Sequence, residues 1–154
     1  MIELIFVIVI IGILAAVALP KLVGVQESAR TAKSGEFVAQ LNSVVMPNLY
    51  SKAVVGHNGS IKAYLKDSAT PTERKNLSYY IEIPSNFTVD ANWVDKIADA
   101  NVSAGDTVNP IMSDTTNSLY IYCKDGDSTN LPRCWYSAKS SGKGSDLNES
   151  KSSF

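Results

Sequence analysis

The sequence predicts an α+β fold: one long N-terminal α-helix, with a small antiparallel β-sheet packed on the C-terminal half of that helix. Three observations predict it. Residues 4–19 (LIFVIVIIGILAAVAL) are apolar without interruption, and helical patterning continues from them to about residue 55. Short runs rich in aromatic and β-branched residues, bounded by turn formers, fall in the second half of the chain. Cys123 and Cys134, the only cysteines, bracket a turn-rich segment in that half. The expected divisions are a hydrophobic helix of membrane-spanning type over 1–20, its amphipathic continuation over 21–55, and a β-rich globular domain over 56–154. That last domain carries a disulfide loop and a flexible C-terminal tail.

The first element is the most constrained. Residues 4–19 span roughly 24 Å as a helix, slightly short of the roughly 30 Å hydrocarbon core of a bilayer, and Met1 and Ile2 extend them. A helix buried in a soluble core would show a polar face, and none is present. A secretory signal peptide wants basic residues ahead of its apolar core. Ala16-Val17-Ala18 imitates a cleavage site, but the only early charge is Glu3. A plain membrane anchor leaves Glu3 without a purpose. An ionisable group in an apolar segment calls for a partner.

At this point the residues carry a resemblance. The run MIELIFVIVIIGILAAVALP resembles the N-terminal segment of type IV pilins and the related pseudopilins, with Glu3, Gly12, Ala15, Ala16 and Pro20 in the family's register. The likeness is close over about the first 25 residues and looser to about residue 55. Family chains usually carry Phe and Thr before the position of Met1, after a basic leader ending in Gly, so the chain looks trimmed at its start. The resemblance implies a major pilin: a structural subunit of a surface filament serving adhesion, motility or DNA uptake. It would sit in the bacterial inner membrane before assembly and in an extracellular homopolymeric pilus afterwards. Its partners would be copies of itself, the inner-membrane pilus assembly machinery, and the membrane.

The resemblance also supplies Glu3 with a partner, the N-terminal ammonium of an adjacent subunit. The energetics agree, because an unpaired buried carboxylate costs several kcal/mol. Gly12 and Pro20 bracket the stretch expected to break its helical bonds in a filament. Proline lacks a donor for the carbonyl of Ala16 and crowds it, at about 3 kcal/mol in a helix interior. Glycine weakens the preceding turns by roughly 1 kcal/mol. In an isolated subunit the same pair implies only a kink.

From Lys21 to Met46 the helix turns amphipathic. Leu22, Val25, Ala29, Ala32 and Ala39 share one face at 100° per residue, and Phe37, Leu41, Val44 and Val45 a second, rotated face. Two offset stripes suit a helix whose first half packs on other subunits and whose second half packs on its own domain. Pro47 is expected to end or kink the helix, with Asn48–Val55 resuming it.

Strands are expected at Tyr79–Ile83, Phe87–Val89, Leu119–Cys123 and Cys134–Ala138, and a short helix over Asp90–Ala100 with Trp93 and Ile97 on one face. The tail Lys139–Phe154, rich in Ser, Gly and Lys, lacks periodicity. Turn residues fill CKDGDSTNLPRC, so its ends can meet, and a bridge across a loop of this size contributes about 3 kcal/mol. It implies an oxidising compartment. A two-cysteine metal site would lack further ligands. In the resembling family a comparable bridge closes a surface contact loop, and the charged residues of this one are expected to face outward.

Asp125, Asp127 and Thr129 alternate like the start of a calcium loop, but the later bidentate acid is missing, so a solvated turn is the stronger reading. His57, the only histidine, is expected in a loop. No nucleophile elbow, phosphate-binding glycine loop or metal motif is present, so neither catalysis nor a cofactor is expected. Asn58, Asn76, Asn86, Asn101 and Asn148 each head an N-x-Ser/Thr triplet. Only Asn101 and Asn148 have an aspartate two residues earlier, which bacterial N-linking systems resembling the known ones require. A Ser/Thr-rich surface also yields such triplets by chance.

Fourteen Lys and Arg against fifteen Asp and Glu leave a net charge of −1, which gives no bulk attraction to nucleic acid. Two other roles remain in view: a pseudopilin of a type II secretion system, and a competence pilin binding DNA through Lys124, Arg133, Lys139, Lys143 and Trp135. The basic residues have acidic neighbours, which weakens the second.

Overall fold

A computed structural model describes residues 2–114, 118–138 and 140–143, with the side chains of 19–23, 27 and 143 left out. The expected Leu22 contact, the Lys139 and Lys143 side chains, the tail beyond residue 143 and Asn148 therefore lie outside the described residues, while Gly142–Lys143, expected in the flexible tail, forms a short strand. The protein is α+β, with a long N-terminal helical region and a four-stranded antiparallel sheet. It divides into two compact units, Met1–Ser34 and Gly35–Phe154.

Helix α1 (Ile2–Gln40) runs through Gly12 and Pro20 as one α-helix. It passes into a π turn at Leu41–Val45, then into α2 (Met46–His57). The irregularity expected at Pro47 thus lies one turn earlier, and Pro47 sits in the first turn of α2. Because the preceding turn is itself helical, Pro47 cannot donate the N–H that this position would otherwise give to a carbonyl of the π turn. The buried residues explain the π turn. Phe37, Leu41, Val45, Leu49 and Ala53 recur every four residues and are all buried. Such a spacing drifts about 40° per step on an ideal α-helix of 3.6 residues per turn. One wider π turn returns the row to the core, with the Met46 N–H donating to the Leu41 carbonyl.

The two stripes separate as their offset implied. Phe37, Leu41 and Val45 are buried, whereas Val25 is 67% exposed and Ala29, Ala32 and Ala39 are exposed. Val44, placed on the second stripe, is exposed instead, because the π turn rotates it outward.

After α2 come α3 (Ile61–Lys66), 3₁₀ turns at Thr72–Lys75 and Leu77–Tyr79, β1 (Thr88–Val89) and α4 (Trp93–Lys96). Then follow β2 (Thr107–Val108), β3 (Met112–Asp114), β4 (Leu119–Lys124), β5 (Arg133–Ser137) and β6 (Gly142–Lys143). The main sheet is ordered β1-β3-β4-β5, and β2 pairs with β6 separately. Its β4 and β5 match the expected strands closely, with Cys123 directly opposite Cys134.

The run Tyr79–Ile83 is not a strand. Its first residue closes a 3₁₀ turn, and Tyr80, Ile81 and Ile83 pack against the core from irregular backbone. A turn from Pro84 to Phe87 follows, and Thr88–Val89 occupies the edge of β3 in its place. β-propensity measures fit to a half-buried surface, which a packed loop also offers. The helix over Asp90–Ala100 shrinks to the single turn α4, yet Trp93 and Ile97 are both buried as their spacing required. It stops because Ile97 turns extended and Ala98 bridges the end of β4.

Candidate functional site

In the first unit the described side chains from Ile2 to Ala18 are all exposed. Ile2 is 83% exposed, Phe6 68% and Leu14 64%, with Glu3 among them as the single charge. So long an apolar surface without polar interruption is far larger than a soluble monomer usually shows. A Cβ at Gly12 would meet nothing, so its missing side chain serves no contact within this chain. Among the described residues no helix is long and apolar enough to cross a membrane. Residues 2–18 rise about 25 Å at 1.5 Å per residue. Met1 and the Leu19 side chain, which extend the apolar run in sequence, lie outside the described residues.

The second unit presents the loop between β4 and β5, closed by a Cys123–Cys134 disulfide. The loop does not simply face solvent. Asp125, expected to be outward, is 5% exposed and turned toward the start of α3. Its Oδ1 accepts from the backbone N–H of Ile61 (2.7 Å), Gly126 (2.9 Å) and Lys62 (3.3 Å), and its Oδ2 from the Ser60 hydroxyl (2.5 Å). Ser60 in turn accepts from the Ala63 N–H as the cap of α3. The free N–H groups of a helix start need acceptors, and here a carboxylate from a distant loop serves.

A second contact holds the loop from the other side. Gly59, at φ +82°, lies so close that a Cβ would fall on the Asp127 carbonyl and within 2.9 Å of the Tyr50 ring. The Tyr50 hydroxyl donates to that carbonyl at 3.0 Å. On the β5 side, Asn42 in the π turn donates to the Cys134 carbonyl and accepts from its N–H, both at 2.7 Å. One carboxamide thereby satisfies the outward backbone groups of an edge strand, where a neighbouring strand would otherwise pair.

The two carboxylates of the calcium reading are therefore engaged in different ways. Asp125 caps α3, while Asp127 closes its own turn by accepting from the N–H groups of Thr129 and Asn130 and from the Asn130 amide. The Asn130 amide first, and then Thr129, hold the Asp127 carboxyl well below the usual carboxylate range. Among the described residues no three His, Cys, Asp or Glu side chains group to hold a metal. His57 follows Val55 and Gly56, where the backbone leaves helical conformation, with Nε2 3.3 Å from Asp67 and its ring edge-on to Tyr64. Of the DNA-binding candidates, Arg133 is exposed, Lys124 is half-buried, and Trp135 stacks on Tyr122 with ring centres 6.1 Å apart.

Asp90 and Asp95 are also held low, mainly by bonds from the ammonium groups of Lys96 and Lys66. Their folded values, like that of Asp127, lie below the ordinary 3.8, so their contribution is complete above that value and lost as pH falls through the folded values. Denaturation midpoints are expected to hold between about pH 7 and 5, where carboxylates stay ionised in both states, and to fall below about pH 4. Asp127→Asn should flatten that fall. An unchanged acid slope in the variant would remove Asp127 from the account.

Sequence reading missed Tyr50, Gly59, Ser60 and Asn42. Two signals were present: Asn58-Gly59 is a turn dipeptide, and Ser60 precedes Ile61 and Leu65, apolar residues four apart. Nothing in the sequence marks Asn42 or Tyr50, whose partners are 92 and 77 residues away. Comparison with known proteins finds no matching family model, curated protein or solved structure.

Proposed function

We propose that this protein is a structural subunit of a type IV pilus-like filament, a major pilin that polymerises through its N-terminal helix. The observation that carries the reading is the exposed apolar surface of residues 2–18 with a lone carboxylate, Glu3, near its start. Such a surface has two favourable environments, lipid before assembly and other copies of the same helix afterwards. Glu3 disfavours the first and, given the N-terminal ammonium of a neighbouring copy, is satisfied in the second. Within the same unit Val25, Ala29 and Ala32 are also exposed, with small side chains that permit close helix approach. The disulfide fits the extracellular destination.

Adhesion, motility and DNA uptake remain roles of the assembled fibre. A secretion pseudopilin would use the same helix in a short periplasmic structure, and long surface fibres distinguish the two. A DNA-binding pilin would bind with a steep salt dependence.

The test is Glu3→Ala in cells that assemble the fibre. The variant should reach the membrane in normal amounts, with sheared fibre yield at least tenfold lower. A reconstruction of wild-type fibres should show helical bonds broken between Gly12 and Pro20. Normal fibre yield from Glu3→Ala would refute the assembly role of the carboxylate.

A further inference from the structure

Five asparagines head N-x-Ser/Thr triplets, and the fold treats the four described ones differently. Asn58 ends α2 in the left-handed region (φ 51°), its neighbour Gly59 is buried, and the Ser60 hydroxyl is committed to Asp125. Asn76 precedes the buried Leu77, which opens a 3₁₀ turn. Asn86 spends its side-chain amide on Asp114 at 2.8 Å and precedes the buried Phe87. In each case some part of the triplet is locked into the fold.

Asn101 differs in its side chains: no residue of its triplet is buried, and only backbone groups of Val102 and Ser103 are engaged, Ser103 donating its N–H to the Asp106 carboxylate at 2.8 Å. It lies in a turn closed by the Val102 N–H donating to the Asp99 carbonyl at 3.0 Å. Asn101 and Ser103 are exposed, and Val102 is half-buried. Asp99, two residues earlier, keeps its side chain 81% exposed even while it accepts from Lys62. The turn borders an open groove of about 500 Å³ whose polar lining includes Lys62, Lys96, Asp106 and Asn109. That lining offers donors and acceptors to hydroxyl groups, and the groove leaves room beside the asparagine.

We infer that Asn101 is a glycan attachment site, taking an N-linked oligosaccharide from a polyprenyl-diphosphate carrier after export. In that transfer the Asn101 carboxamide nitrogen forms a bond to C1 of the first sugar. The bond from C1 to the diphosphate oxygen breaks, the polyprenyl diphosphate leaves, and the amide proton passes to a base of the transferase. Asp99 serves as the acid that the transferase reads, and the Ser103 hydroxyl completes the acceptor. The inference shares with the filament reading only the extracytoplasmic setting that the disulfide already requires, so either can fail alone.

The folded full chain in detergent, incubated with a bacterial acid-requiring N-oligosaccharyltransferase and its lipid-linked oligosaccharide, gives the test. After reduction and trypsin digestion, the peptide 97–124 contains one triplet, that of Asn101. It should gain the full oligosaccharide mass, and the peptides holding Asn58, Asn76 and Asn86 should not. Asn101→Gln should abolish the gain, and Asp99→Ala should reduce it at least tenfold. Both substitutions lie at exposed positions, and an unchanged thermal midpoint checks that the fold is intact. No transfer to wild-type Asn101, or transfer only to Asn148 or to the three locked asparagines, would overturn the inference.

Discussion

Gly59→Ala is expected to destabilise the globular unit by about 3 kcal/mol. A left-handed conformation costs a side chain about 1–2 kcal/mol. The new methyl must also displace the Asp127 carbonyl and press on the Tyr50 ring, an overpacking that costs about 1–3 kcal/mol. Gly56 separates the two effects. It too has positive φ, at +93°, but a Cβ there would meet nothing. Gly56→Ala should therefore cost only about 1–2 kcal/mol, from the backbone alone. Denaturant titration of both variants checks this, with the difference in midpoint reporting the contact between the turn and the disulfide loop. Equal losses in the two would mean that the loop yields freely and is not held against Gly59.

The second large effect is expected at Asp125. Asp125→Ala removes one acceptor from three backbone N–H groups and the Ser60 hydroxyl, leaving buried donors with no partner. Each orphaned donor costs about 1–3 kcal/mol, moderated where water can enter. A loss of about 3 kcal/mol is expected, lowering Tm by roughly 10 °C. Asp125→Asn keeps the shape but gives up the charge, and one of its two polar ends is a donor facing donors. It should recover less than half of the loss. Because Ile61 and Lys62 lose their acceptor, their amide exchange should rise together with that of Gly126. Faster exchange at Gly126 alone would show that the loop and α3 are not joined through this carboxylate.

These two sites alter the picture of the disulfide loop. Its polar composition suggested a cross-linked flap facing solvent, stiffened by the bridge. Instead the bridge is one of several attachments, with the Asp125 cap, the Tyr50–Gly59 contact and the Asn42 clamp on Cys134. If the filament reading holds, the surface such a loop offers a neighbour is rigid because it is pinned to α2 and α3.

Local chemistry accounts for what was legible in the sequence. The apolar run of 4–19 and the lone Glu3 ahead of it need no tertiary information, since an unbroken apolar helix remains exposed until lipid or protein covers it. The two stripes after Pro20 were readable because helical periodicity converts spacing into faces. Strands β4 and β5 and their bridge followed from aromatic and β-branched runs flanking turn residues. Asn101 was one of five triplets in sequence, and its accessibility emerged only when the fold engaged parts of the others.

What tertiary structure alone decided is where competing local preferences resolve. Tyr79–Ile83 has strand composition, but the edge of β3 was taken by Thr88–Val89, and Tyr80, Ile81 and Ile83 could pack partly against the core from a loop while Tyr79 stays exposed. Asp125 reads as a solvated turn residue until α3 presents its N–H groups from 64 residues away. The π turn arises because a four-residue repeat of buried side chains must stay on one core while an α-helix of 3.6 residues per turn carries it away. Periodicity, propensity and turn chemistry act between near neighbours and are written in the sequence. The choice among them depends on which distant group arrives to satisfy a donor, an acceptor or an apolar face, and only the folded chain brings those groups together.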